Sequence, residues 1–170
     1  MRTKTIQSTG NSDRGLSVAL THVLAIGITT ILIAVLLAGS SALLDAETDR
    51  SAEQSLETIG ERLAGEVANV DAIGDEDTDT VTLSADHPRT VAGSGYTVEL
   101  LESDDCADSP LLTGDTNCLR LTASGADVQE YVPVKIDADV GDDRSASGGL
   151  IEIEFEYDGN NGEISIRSGN

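Results

Sequence analysis

Hydrophobic positions divide the chain into a long uncharged segment near the N-terminus and a patterned remainder. Residues 16–44 contain no charged side chain, and 20 of these 29 residues are Ala, Val, Ile or Leu. The hydrocarbon core of a bilayer requires about 20 predominantly apolar residues in a helix. A central Lys, Arg or Asp would cost about 2.5–3.5 kcal/mol on insertion scales, and the segment has none. The pattern predicts a membrane-spanning helix over residues 16–44.

The helical period continues beyond the uncharged segment. Five apolar residues recur at spacings of three or four and form one stripe: Leu56, Ile59, Leu63, Val67 and Val70. No proline interrupts residues 16–73, so we expect one helix of about 55 residues, roughly 80 Å long at 1.5 Å per residue. The stripe predicts packing against the domain that follows. A coiled-coil or juxtamembrane stalk is the alternative, which so short a pattern leaves open.

The rest of the chain shows the two-residue period of β-strands. The clearest example is Ile151–Tyr157, where apolar residues alternate with three glutamates. Residues 158–162 are rich in Gly and Asn and predict a turn, after which Ile164 and Ile166 supply a hairpin partner. We therefore expect a half-buried hairpin with an acidic outer face.

Weaker alternation predicts four more strands, which gives about six in all. They fall at residues 80–84, 96–101, 119–122 and 128–136. Pro133 assigns the last of them to a sheet edge, because proline cannot donate to a strand ladder. The predicted fold class is α+β, a long N-terminal helix followed by a small antiparallel β-sheet domain. The expected domain divisions are a leader, a transmembrane and stalk helix, and an acidic β domain: residues 1–15, 16–73 and 74–170.

Charge separates the same regions. The 170 residues include 31 acidic and 10 basic side chains, for a formal net charge of −21. Residues 1–15 hold three basic residues against one acidic residue, and residues 45–170 hold the excess of acid. The positive-inside rule then places the N-terminus in the cytoplasm and the β domain outside. The acidic body disfavours nucleic acid as a partner, and only two lysines with so much acid suit a high-salt milieu.

The junction between leader and apolar segment carries a further pattern. Asp13, Arg14 and Gly15 stand directly before the apolar run that begins at Leu16. A charged residue and a glycine abutting a long apolar helix resemble the class III signal peptide of archaeal type IV pilins and archaellins. The resemblance implies that a prepilin peptidase cuts between Gly15 and Leu16, on the cytoplasmic side of the membrane. The mature chain would then have 155 residues and keep its helix.

The resemblance covers roughly residues 13–72 and extends to the helix. In pilins the apolar half of the helix packs against copies of itself in a filament, and the amphipathic half packs on the head domain. Two positions depart from related patterns. Val18 stands where haloarchaeal major pilins often have proline, and Leu20 stands where bacterial pilins carry glutamate, an absence usual in archaea. The chain thus resembles a minor or pilin-like haloarchaeal member, whose implied partners are the membrane, the peptidase and other pilin subunits.

Other interpretations of the apolar segment stay open. A plain signal anchor would leave an uncleaved single-pass surface protein whose β domain binds a ligand or partner. A cleaved secretory signal would use the small residues 38–40, although its apolar run normally has only about 7–15 residues. The intact or processed native N-terminus distinguishes these cases.

Two cysteines, Cys106 and Cys118, lie close together in sequence. Outside the membrane such a pair favours a disulfide, worth roughly 3 kcal/mol in the chain-entropy model for a loop of this size. Free thiols are an alternative. A metal site is another, although the β domain adds only His87 as a further strong ligand.

Catalytic and metal-binding patterns are weak. The sequence has no Gly-x-Ser-x-Gly, Walker A or His-Glu-x-x-His motif, and His87 stands in an expected turn before proline. Asp75, Asp77 and Asp79 resemble a calcium loop, but Thr80 replaces the glycine that an EF-hand needs. His22 is expected to be a neutral interfacial residue near the start of the helix, with a proton relay as the alternative. We predict no enzyme, no cofactor and no bound metal.

Overall fold

The computed structural model describes residues 12–74, 80–106, 116–126, 128–157 and 159–170. The chain divides into two compact units, Met1–Asp45 and Ala46–Asn170. Helix α1, Ser12–Ile73, supplies residues to both units. The second unit also contains the whole β-sheet.

Eight β-strands follow the helix in the described part of the chain. They are β1 Thr80–Asp86, β2 Thr90–Val91, β3 Ser94–Leu101, β4 Cys118–Ala123, β5 Gln129–Pro133, β6 Asp139–Ser147, β7 Leu150–Tyr157 and β8 Gly162–Ser168. A short 3₁₀ helix, Ser103–Cys106, follows β3. The strand order is β1-β7-β8-β6-β3-β4-β5, with β2 paired to β3. The predicted α+β class, a long helix before a largely antiparallel sheet, is confirmed.

The six predicted strands are present, with shifted ends. β1 runs two residues further than expected, and β7 and β8 form the antiparallel hairpin. β5 lies at a sheet edge, as Pro133 predicted, but it ends at that proline. The expected continuation to residue 136 is wrong, because a strand pairs only where its main chain meets a partner.

Two of the observed strands, β2 and β6, were not predicted from the sequence. β2 is only two residues long and pairs with β3 through a tight turn at Ala92 and Gly93, whose φ angles are 46° and 81°. β6 is mostly exposed and polar, so it lacks the alternation that reveals a half-buried strand. It pairs with β8 in parallel, so the sheet is not purely antiparallel as expected.

The apolar stripe of α1 forms one wall of the hydrophobic core in the second unit. All five stripe residues are at most 7% exposed, and they belong to one cluster with apolar side chains from the sheet. The approach is closest at Gly60, where an added Cβ would overlap Val132 and Leu121. Packing of the amphipathic half of the helix on the β domain is therefore observed.

The C-terminal end of α1 is fixed to the sheet by two further contacts. Asp71 accepts main-chain hydrogen bonds from Asp137 and Ala138, at 2.9 and 3.0 Å. The Phe155 ring lies against Gly74 and Gly162, where any Cβ would overlap it. These contacts hold the end of the helix to the loop before β6 and to the β7–β8 hairpin.

Candidate functional site

The apolar segment of α1 presents hydrophobic side chains to its surroundings. Fourteen described Val, Leu and Ile side chains between residues 18 and 44 are 51–71% exposed. Residues 17–39 are exposed on every side of the helix. A soluble helix buries an apolar stripe and keeps polar residues on its other face. An apolar surface this continuous marks an interaction with a membrane or with other proteins.

Three threonine hydroxyls in this segment bond to the helix itself. Thr21 Oγ1 donates to the carbonyl oxygen of Ser17 at 2.9 Å, and Thr29 and Thr30 donate in the same way to the carbonyls four residues earlier, at 2.8 Å. In a bilayer every polar group needs an internal partner, because lipid tails offer none. These threonines therefore satisfy their hydroxyls without breaking the helix.

Length and composition make α1 compatible with a membrane. Within the described ranges it is the one helix long and apolar enough to cross a bilayer, and its apolar part lies near the N-terminus. The predicted membrane-spanning potential is confirmed at this level. His22 is exposed in this part of the helix.

The predicted processing residues lie at the start of α1. Arg14, Gly15 and Leu16 fall within Ser12–Ile73, but their side chains lie outside the described part of the structure, as do residues 1–11. Cleavage between Gly15 and Leu16 stays a prediction.

Cys106 and Cys118 are joined by a disulfide in the structure. Their Cα atoms are 6.0 Å apart, and both residues are at most 2% exposed. Cys106 ends the 3₁₀ helix and Cys118 begins β4, with Leu101 and Tyr131 packed around the bond. Residues 107–115, which the disulfide closes into a loop, lie outside the described residues.

Paired charges cover part of the outer sheet surface. Arg167 Nη2 donates to Glu152 and Glu154, each at 2.5 Å, so two carboxylates of the predicted acidic face share one guanidinium. Arg120 donates to Glu99 across the β3–β4 pair, at 2.7 Å from its Nε. Opposite charges on neighbouring strands stabilise a sheet.

Acidic side chains gather where β5 meets α1. Burial raises the pKa of the Glu130 carboxyl, and the negative charges of Glu53 and Glu57 raise it further. These two glutamates also line an open cleft with Arg50 and Asp49. The cluster is a site of like-charge repulsion within the domain.

His87, which the sequence placed in a turn before proline, is buried in the structure. Its side chain is fully buried, and its Nε2 lies 2.8 Å from Glu66 Oε2. Its Nδ1 has no hydrogen-bond partner among the described groups. Glu66 also accepts a hydrogen bond from Arg62 at 3.0 Å. This pair links α1 to the segment after β1, and nothing in the local sequence reveals a contact between residues 21 positions apart.

Metal ligands do not gather within the described ranges, where no group of three or more His, Cys, Asp or Glu could hold an ion. Asp75, Asp77 and Asp79 lie outside those ranges. An open cleft of about 480 Å³ lies beside the C-terminal end of α1. It is lined by Asp71, Lys135 and Tyr157 among other residues.

Fold and surface together define a class: an α+β protein whose N-terminal helix is apolar enough to cross a membrane and whose later turns pack on a β-sheet. Residues 11–167 match the model of a family of unknown function, DUF7266. The chain belongs to that family. No curated protein and no solved structure matches it.

Proposed function

We propose that this protein is a pilin-like structural subunit. Residues 16–44 anchor it in the cell membrane before assembly, with the N-terminus in the cytoplasm and the β domain outside. A prepilin peptidase removes residues 1–15, and the mature chain joins an extracellular type IV pilus-like filament or its minor-pilin complex.

One observation carries this proposal: a single helix has two differently used parts. From Val18 to Leu44 its large apolar side chains are exposed, whereas from Leu56 to Val70 its apolar stripe is buried against the sheet. A simple anchor needs the first part but has no need to continue the same helix into the core of its domain. A subunit held in a filament by its helix needs both, because the same element must make the filament contact and hold the head.

The energetics of the exposed part fit assembly. Within lipid, apolar helices gain little by associating, because the lipid tails are as apolar as leucine. In a filament surrounded by water, each large side chain gains about 1.5–3 kcal/mol on burial. The fourteen exposed side chains therefore favour helix packing once the subunit leaves the bilayer.

The alternative is an uncleaved single-pass surface protein whose β domain binds a ligand or partner. It shares the membrane helix and the exterior domain and differs at the N-terminus. The basic leader and the position of Gly15 directly before the apolar run favour processing.

Mass spectrometry of the native protein tests this proposal. We expect a mature chain that begins at Leu16, and an intact leader would contradict the proposal. Gly15→Val should block cleavage and leave a band heavier by the 15-residue leader. Gly27→Val is a matched control in the same helix, because a Cβ at Gly27 meets no atom within 4 Å. The control should be processed normally.

Assembly has a separate test at the middle of the apolar segment. Ile31 is 64% exposed, so Ile31→Asp should leave the β domain folded and abolish co-sedimentation with sheared filaments. Ile31→Leu, which keeps the side chain apolar, should still co-sediment. Membrane insertion must be measured in parallel, since one central charge costs only about 3 kcal/mol there. An Asp variant that inserts and still sediments would show that the segment is only an anchor.

A further inference from the structure

Strand β1 leaves one edge of the sheet without a partner strand among the described residues. It pairs with β7 on one side over seven residues, in regular register without a bulge. Natural sheets usually protect an edge with a proline, a charge or a bulge. The opposite edge, β5, has two of these features in Glu130 and Pro133. Residues 80–85 of β1 have none of them.

The first six residues of this edge strand carry no charge, which is notable in so acidic a domain. Residues 80–85 are Thr, Val, Thr, Leu, Ser and Ala, although the whole chain has 31 acidic residues. On the neighbouring strand, Glu152 and Glu154 lie opposite Ser84 and Thr82. Both of those carboxylates accept hydrogen bonds from Arg167. A second acidic molecule can therefore approach this edge with less repulsion than unpaired carboxylates would cause.

The edge is also complementary to itself. If two β1 strands lie antiparallel about a two-fold axis at Leu83, Thr82 faces Ser84 of the other copy and Val81 faces Ala85. Polar side chains then meet on the outer face and apolar ones on the inner face, as cross-strand pairing requires. Val81 and Leu83 are only half-buried in one copy, at the margin of its core.

We propose that β1 pairs antiparallel with β1 of a second copy of this chain and joins two β domains into one continuous sheet. The contact lies within the second unit and goes beyond the proposed function, since it requires neither leader cleavage nor helix packing. Asp86 ends the edge strand, and in this pairing it faces Thr80 of the other copy, which lies beside Glu156. Salt should therefore strengthen the contact, because the Debye length falls from about 10 Å at 0.1 M to about 3 Å at 1 M.

Cysteine crosslinking of the full chain in membranes tests the register. Two differently tagged chains, Thr82→Cys and Ser84→Cys, are co-expressed and mildly oxidised. Directly opposed residues have Cα atoms about 4.5–5.5 Å apart, within the reach of a disulfide. We expect a band of twice the chain mass that carries both tags. It should be several-fold stronger than the band from two Ser145→Cys chains, whose cysteine is exposed on β6 in the interior of the sheet.

Three results would overturn the proposal: no mixed-tag band, a band equally strong in the Ser145→Cys control, or a crosslink to a protein of another mass. The experiment is run in the Gly15→Val background, where the leader is retained. A failure of edge pairing is thus separate from a failure of filament assembly.

A charge variant provides an independent measurement. Thr82→Asp would add to each copy a carboxylate that lies diagonally across the new strand pair from its counterpart, and a charged side chain on an edge strand disfavours pairing with another chain. In detergent at 1 M salt, the parent and Thr97→Asp, which adds the same charge at an exposed position on β3, should be dimers. Thr82→Asp should be a monomer. Equal behaviour of the two variants would contradict pairing through β1.

Discussion

Leu63→Ala tests the packing of α1 on the sheet, on which the architecture depends. Leu63 is fully buried in the core cluster of the β domain. The substitution removes three carbon atoms, each worth about 0.8 kcal/mol of burial. The cavity left behind adds about 24 cal/mol per Å³, which brings the expected loss of unfolding free energy to about 3–5 kcal/mol.

Leu37→Ala is the matched control, because the same atoms are removed from a side chain that is 68% exposed. The domain's unfolding in urea can be followed by near-ultraviolet circular dichroism, since all three tyrosines of the chain follow the helix. We expect Leu37→Ala to unfold at the parental midpoint in detergent. A loss below 1 kcal/mol for Leu63→Ala, or an equal loss for both variants, would refute the reasoning.

Three further substitutions test the interior and the charges of the β domain. Burial raises the pKa of Tyr96 to about 12. The parent should therefore lose stability as pH rises from about 10 to 12, because the unfolded chain releases this proton first. Tyr96→Phe should not show this loss when unfolding midpoints are measured across that range. Gly162→Ala should cost about 1–3 kcal/mol in a urea titration, because its Cβ overlaps the Phe155 ring; Gly65→Ala, where a Cβ meets nothing, should not be destabilising. Glu130→Gln should raise the thermal midpoint slightly at pH 7, where the parent must ionise a carboxyl whose pKa is raised. A gain in thermal midpoint that persists at pH 3, below the pKa of this carboxyl in the unfolded chain, would contradict this cause.

Local periodicity explains what could be predicted from the chain alone. The uncharged run, the stripe from Leu56 to Val70 and the alternation of β7 each depend on residues within a few positions of one another. Because the helical and strand repeats determine which side chains share a face, these patterns specify both the element and its buried side. The α+β class and the use of the stripe as a core wall follow from them.

The missed features depend on contacts between distant segments. β6 has an exposed, polar sequence and becomes a strand because its main chain pairs with β3 and β8. Main-chain hydrogen bonds are available to almost any residue, so such a strand leaves little trace in the order of hydrophobic positions. Ala92, at a positive φ, likewise lacks the Asn-Gly or Gly-Gly signal that marks a two-residue hairpin.

The candidate sites also divide into features that local sequence predicts and features that depend on contacts between distant segments. The apolar surface of the N-terminal helix and the residues before it can be identified from composition, because a membrane or filament segment is recognised by its lack of charged side chains. The burial of His87 against Glu66, the pairing of Arg167 with two glutamates and the position of β1 at an edge of the described sheet required the tertiary structure. Sequence determined which segments are apolar or periodic. Strand order determined which side chains meet and which strands lie at the edges of the described sheet, because pairing between distant segments depends on main-chain geometry and not on local sequence.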